Sequence, residues 1–485
     1  GSVYLPGNTS PTSTMSANAP DGPVTAVATL TATLGTSGAA SAVIPDDVIT
    51  DAIANAQAVA RAQGKTAHGT SIALNVTMPM GATSLTAILT QSSLNALVSA
   101  GVSGLELNGG PVSLSLDLKA LQEIQKQSDG KIIISIAPFA GLSNEAKSLL
   151  GNRPVYNITI SYMKDGKTIY MTDLGNGTAT LSIPYIPGKD EAVGYLFGVY
   201  VDTTGKAQRI PGSVYDANNG GMIIPTGHFS VFGVGYTAPS DKFSDIGTHW
   251  GKNAMDYVIG RGLLMGTSET TFAPDTAMTR GMLVTALGRL AKMDTKVYTT
   301  NSFTDVKADS AFRPYIEWAY KNGTVQGIGN GKFEPDRAVT REEIAVIFAN
   351  YAKATGYTLP VTRNAAAYVD TSAIGSVYKT AVTAMHQAGI MMGGSGNKFN
   401  PKQSATRAEV SSLLHRYIKL TIDPATAQGW ALNDAGQYLY YKDSKALTGT
   451  QTIGGVKYFF NTDGTLKTGW VKDGDNWRYY SGNKA

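Results

Sequence analysis

Three arginines occupy the same place in three copies of one phrase. It reads FAPDTAMTRGMLVTALGRLAK at 272–292, FEPDRAVTREEIAVIFANYAK at 333–353 and FNPKQSATRAEVSSLLHRYIK at 399–419. Phe272, Phe333 and Phe399 each precede the arginine by eight residues, and Pro274, Pro335 and Pro401 each precede the threonine by five. Behind Arg280, Arg341 and Arg407, apolar residues recur at helical spacing (Leu283, Leu287 and Leu290 in the first copy), the stripe of an amphipathic helix. Thr340 with Glu343, and Thr406 with Glu409, fit a capping box, so Thr is predicted to cap each helix and Arg to be its first residue. A guanidinium there, with forked donors beside unpaired amides at the positive helix end, suits a carboxylate or a phosphate. The first copy has Met282 where the others have Glu, which predicts a cap weaker by up to about 1 kcal/mol. Pairing with a neighbouring Asp or Glu would account for any one of these arginines. Three at one helical position favour an anion site.

Other chemistry is sparse. The five histidines, His68, His228, His249, His386 and His415, show no metal-ligand spacing, so neither a metal nor a cofactor is expected. No nucleophile elbow, zinc-protease, phosphate-loop or dinucleotide motif is present. His228-Phe229-Ser230 opens a strand-like run, GHFSVFGVGY, and resembles the cleavage point of self-cleaving β-sandwich domains of eukaryotic death-domain and inflammasome proteins. That resemblance implies attack by Ser230 on the Phe229 carbonyl, assisted by His228. A histidine that packs within the strand is the alternative.

These residues need elements to hold them. A chain of 485 residues predicts several domains. Residues 1–23, rich in Pro, Ser, Thr and Asn, read as a linker. The Gly-Ser start, without Met or signal peptide, reads as a mature or recombinant fragment. Residues 24–237 mix helical stretches with alternating strands and a hairpin around Lys164-Asp165-Gly166, an α+β segment leading into a β-sandwich. The phrase with the arginine then recurs in three units, at 241–295, 301–356 and 366–420, with Asp245, Asp305 and Asp370 near their starts. Past 426, aromatic-rich hairpins with Gly or Asp-Gly turns repeat about every 20 residues, giving a β-hairpin tail over 426–485. The fold class expected is therefore multidomain α+β, with a helical threefold unit between two β-rich parts.

Charge supports this division. Net charge is only +4, too small to argue for nucleic acid, yet 241–420 holds 21 Lys and Arg against 15 Asp and Glu. There are no cysteines, which removes disulfides and thiol chemistry, and no run is apolar enough to span a membrane.

The pattern F-x-D, then (in the first copy) His-Trp, then G-x-x-x-G and F-x-P-x4-T-R-x-E, over 241–420, resembles the S-layer homology repeat. The resemblance implies a pseudo-threefold helical spindle that docks a Gram-positive surface protein onto a secondary cell-wall polysaccharide, typically one bearing a pyruvyl ketal. It implies that Arg280, Arg341 and Arg407 hold the ketal carboxylate, and that Gly266, Gly327, Gly393 and Trp250 shape the grooves. Trp250 becomes Phe312 in the second copy and Val377 in the third, so unequal grooves are expected, with those at Arg341 and Arg407 ranked above Arg280.

The tail resembles the choline- or glucan-binding repeats of Gram-positive surface proteins. Aromatic faces stack on sugars or box a quaternary ammonium, which implicates Trp430, Tyr440, Tyr458, Trp470, Trp477 and Tyr479. A choline box usually takes more tryptophans, so general glycan binding is favoured. The alternative is that the aromatics zip the hairpins together. The function expected is a non-catalytic, extracellular cell-wall anchor. A competing reading makes the chain the anchoring part of a larger secreted hydrolase whose catalytic domain lies upstream.

Overall fold

The computed structural model describes residues 22–473 and 476–480, and for residues 470, 472, 473 and 476–478 the backbone alone. The linker expected at 1–23 lies almost wholly outside them.

The N-terminal region is a mixed β structure with four helices. A seven-stranded sheet runs in the order Val24–Thr31, Thr70–Thr77, Gly104–Asn108, Ser113–Asp117, Ala179–Pro184, Gly221–Thr226, Val214–Asp216. A nine-stranded sheet includes Leu196–Val201, Val231–Tyr236, Val155–Lys164, Ile132–Pro138, Ser84–Leu89 and Ala39–Val43, in that order. The sheets share one core: Leu105 and Leu107 of the first belong to the same buried cluster as Leu85 and Ile134 of the second. Helices α1 (Asp46–Ala62), α2 (Gln91–Ser99) and α3 (Leu118–Gln127) add Ile49, Leu94 and Leu121 to that core, and α4 (Asn144–Leu150) serves a smaller one. The expected hairpin is present, with Lys164 paired to Lys167 and Asp165 and Gly166 both at positive φ, as a tight two-residue turn requires. The parallel pairing of Val24–Thr31 with Thr70–Thr77 was not legible. It depends on the crossover through α1, a non-local connection.

The central region is helical: α5 (Lys252–Gly260), α6 (Arg280–Leu290), α7 (Arg313–Lys321), α8 (Arg341–Ala354), α9 (Lys379–Gln387) and α10 (Arg407–Ile422). One apolar core runs through all three units, from Phe243 to Ile418. Around its axis the units exchange backbone hydrogen bonds in a closed ring. Met278 N donates to Ala405 O (2.8 Å), Ala405 N to Val339 O (3.4 Å), and Val339 N to Met278 O (2.9 Å).

The tail forms three antiparallel hairpins, with Gly429–Leu432 on Tyr438–Lys442, Gly449–Ile453 on Val456–Phe460, and Gly469–Asp473 on Asn476–Tyr480. The first docks on the helical unit, where Asp434 accepts from Tyr257 (2.8 Å) and pairs with Lys419 and Arg261. No helix among the described residues is long and apolar enough to cross a membrane.

Candidate functional site: three clefts between repeats

Each arginine begins its helix after a threonine cap, as expected. Thr279, Thr340 and Thr406 accept from the amides of Met282, Glu343 and Glu409, and the last two close full capping boxes. Each side chain then crosses to the next repeat. Arg280 donates to Phe333 O (2.9 Å) and Gln326 O (3.0 Å), and Arg341 to Phe399 O (2.7 Å) and Met392 O (2.9 Å). Arg407 closes the circle, donating to Phe272 O (2.9 Å) and Met265 O (2.5 Å). The guanidinium carbons also lie 4.5, 5.0 and 4.4 Å from the rings of Phe333, Phe399 and Phe272. The constant spacing of Phe and Arg therefore reflects contact between different copies.

One expectation needs correction. The helix amides beside these arginines are not unpaired. Arg280 N and Gly281 N donate to Arg337 O and Pro335 O, Arg341 N and Glu342 N to Gln403 O and Pro401 O, and Arg407 N and Ala408 N to Thr276 O and Pro274 O. With the third amide bound to threonine, each helix start is closed by the neighbouring repeat. What remains for an anion is the guanidinium charge, not a nest of amides.

The glycines position the acceptors. A Cβ on Gly266 would meet Phe243 at 2.4 Å, one on Gly327 would meet Phe303 at 2.7 Å, and one on Gly393 would meet Tyr368 at 2.6 Å. The carbonyls just before them, of Met265, Gln326 and Met392, are those that hold the arginines. Asp245, Asp305 and Asp370 are turn caps. Each accepts two successive backbone amides, such as Phe272 N and Ala273 N, beside a residue of positive φ (Ala273, Glu334 or Asn400). Burial pushes these carboxyls up, but the amide bonds outweigh it and hold them below their ordinary value of 3.8.

The three clefts differ in charge. Burial pushes all three guanidiniums down, and nearby carboxylates oppose this unequally. Arg280 lies 3.7 Å from Glu343, which also binds Arg337 at 2.7 Å. Arg341 feels Glu409 but has no carboxylate within 4 Å among the described residues. Arg407 faces Met282 at that place, with Nη1 3.7 Å from the thioether, and its one opposing carboxylate is Asp245. Met282 is the residue that sequence reasoning undervalued. Its substitution for Glu was read as a weaker cap, whereas its larger effect falls on the arginine of another repeat.

The clefts differ in aromatic surface too. Trp250 is 66% exposed, beside His249, and Gly251 abuts Ala408 next to Arg407. The helices begin at Lys252, Arg313 and Lys379, so Trp250 is matched by exposed Ala311 and exposed Val377, while Phe312, expected at that place, takes the position of Gly251 and is half-buried against Gly281. Neither other repeat presents an aromatic ring at the place of Trp250.

In the tail, Trp430 packs on Tyr440 (5.2 Å between ring centroids), Tyr458 (4.9 Å) and Phe460 (6.0 Å), which joins the first two hairpins. Tyr458 is buried, while Tyr479 is exposed. The side chains of Trp470 and Trp477 lie outside the described residues. No hydrogen bond joins His228 and Ser230 among the described residues. Ser230 Oγ donates to Val201 O (2.8 Å), and the His228 ring packs against Tyr200 and Phe232.

Known proteins support the division into regions. The S-layer homology domain family matches residues 242–281, 302–345 and 367–411, and the choline-binding repeat family matches 447–485. An amylopullulanase of Thermoanaerobacterium thermosulfurigenes is 29% identical over 45% of this chain and 12% of its own length. An S-layer protein of Bacillus thuringiensis subsp. finitimus is 25% identical over 38% of this chain and 22% of its own. A glucosyltransferase-I of Streptococcus downei is 40% identical over 14% of this chain and 4% of its own. The chain thus spans under a quarter of the length of each of these relatives. Its helical region consists of three S-layer homology domains, the mark of a cell-surface protein, and is followed by a choline-binding-type repeat.

Proposed function

We propose that the chain anchors at the cell wall by seating an acidic wall polysaccharide, with a pyruvyl ketal as its anionic group, in the cleft of Arg407. The observation that carries this reading is the coincidence of two features in one cleft. Arg407 has no carboxylate at the place that Glu343 fills beside Arg280, and exposed Trp250 precedes Gly251, which lies against Ala408, the residue after Arg407. A carboxylate in that cleft would complete the charge of a buried guanidinium, and a sugar ring would cover indole. The Arg341 cleft ranks second and the Arg280 cleft third. The tail would add a weaker glycan contact through exposed rings such as Tyr479.

Retention on purified sacculi tests this. Binding should be saturable and should vanish when acid strips the secondary polysaccharide from the peptidoglycan. Equal retention on stripped sacculi rejects it.

A second reading concerns the longer protein. Relatives named amylopullulanase and exoglucanase align over 45% and 42% of this chain, which favours a part that tethers a glycan-degrading enzyme. A glycan hydrolysis assay on the intact secreted protein distinguishes that reading from a plain surface-layer component.

A further inference from the structure

A second basic site lies where α9 ends against α10, joined to the Arg341 cleft through Met392, whose thioether accepts from Arg363 (3.0 Å) and whose carbonyl accepts from Arg341. A cavity of about 280 Å³ is lined by Thr362, Arg363, His415, Arg416, Lys419 and Asp423. Neither Arg363 nor Arg416 has a carboxylate within 4 Å among the described residues, and Lys419 is paired to Asp434. Burial pushes the Arg416 guanidinium down, and the neighbouring Arg363 pushes it further. His415, tilted against Tyr257 with ring centroids 4.2 Å apart, has a buried Nε2 without a hydrogen-bond partner among the described residues.

The threefold repetition separates what is structural here from what is added. Arg416 Nη1 donates to Ile390 O (3.1 Å), as Arg289 Nη1 does to Leu263 O (3.1 Å) and Asn350 Nδ2 to Thr324 O (3.4 Å). That bond, common to all three repeats, explains the presence of a donor at 416. It does not explain Arg363, whose counterparts seven residues before Asp245 and Asp305 are Ala238 and Tyr298. Arg363 lies over Gly389, at the carbonyl end of α9, where the helix dipole favours one cation. A second guanidinium beside it is repelled unless an anion joins them.

We propose that this cavity binds a phosphate group, clasped between Arg363 and Arg416. A tetrahedral oxyanion would engage two forks at once and relieve their repulsion. The group could be free phosphate or a phosphodiester of a wall polymer.

Titration calorimetry of the full chain with inorganic phosphate, at fixed ionic strength in chloride, tests the site. We expect saturable binding that Arg363→Gln weakens about fivefold or more, while Arg289→Gln, the matching guanidinium of the first repeat, leaves it unchanged. Arg363 is exposed, so its variant should fold normally. A parallel titration with a glycerol phosphate oligomer identifies the source. Tighter binding than phosphate supports the polymer, and equal binding supports the free anion. No saturable heat from either probe overturns the proposal, as does equal weakening by the two variants. Sacculus retention reads the Arg407 cleft and the loss of phosphate binding in Arg363→Gln reads this cavity, so either can fail while the other stands.

Discussion

The clefts at Arg407 and Arg280 are built on the same backbone and carry different electrostatics. In both, the arginine caps the circle by donating to two carbonyls and lying over a phenylalanine. In one the neighbouring helix offers Glu343, itself tied to Arg337, and in the other Met282. The comparison teaches that holding the repeats together, seen in both clefts, is separable from the anion binding proposed for one of them. The Nε and Nη2 donors do the first in every repeat. The residue two places after the neighbouring arginine sets the charge available for the second.

The sharpest way to break this comparison is to delete each arginine in turn. Arg407→Ala and Arg280→Ala should cost similar stability, about 2–4 kcal/mol in urea unfolding, because each strands one buried and one part-buried acceptor. Sacculus binding should fall about 100-fold for Arg407→Ala and only a few-fold for Arg280→Ala. Equal losses of binding would make the arginines purely structural.

Met282→Glu should transfer the Arg280 condition to Arg407. We expect about tenfold weaker binding, with stability unchanged or raised by up to about 1 kcal/mol as a capping box forms. Opposite signs in one substitution are hard to obtain from misfolding. Trp250→Ala should weaken binding about fivefold through lost apolar contact, with little change in unfolding because the ring is exposed.

The smallest effect on binding, and one that should not distinguish the clefts, comes from pH. Asp245, Asp305 and Asp370 have folded pKa values depressed below 3.8. Their stabilisation is complete above that value and is lost as pH falls through the lower folded values. Urea midpoints at pH 7 and pH 5 should nearly agree, then drop below pH 4. Asp305→Asn should lower the pH 7 midpoint and flatten that drop.

What could be read from the sequence was local. Threonine caps, the apolar stripe behind each arginine and the Asp165-Gly166 turn depend on residues a few positions apart, and all appear as expected. The partner of each arginine could not be read, because Arg407 bonds to Met265 and Phe272 more than 130 residues earlier. The pairing of the helix amides with Pro274, Pro335 and Pro401 is hidden for the same reason. In the tail, aromatic spacing implied hairpins, but periodicity cannot tell a ring turned to solvent from Trp430, which is spent on joining two of them.

The triangle of amides and carbonyls at Met278, Ala405 and Val339 has a consequence for how such a unit could change. An open stack of repeats can gain or lose a member at its end and still bury its faces. A triangle cannot. A fourth member has no vacant acceptor, and removal of one strands a donor on one remaining neighbour and an acceptor on the other. The number three is thus fixed by geometry, and any gain in grip must come from substitutions within the existing trio or from modules added outside it.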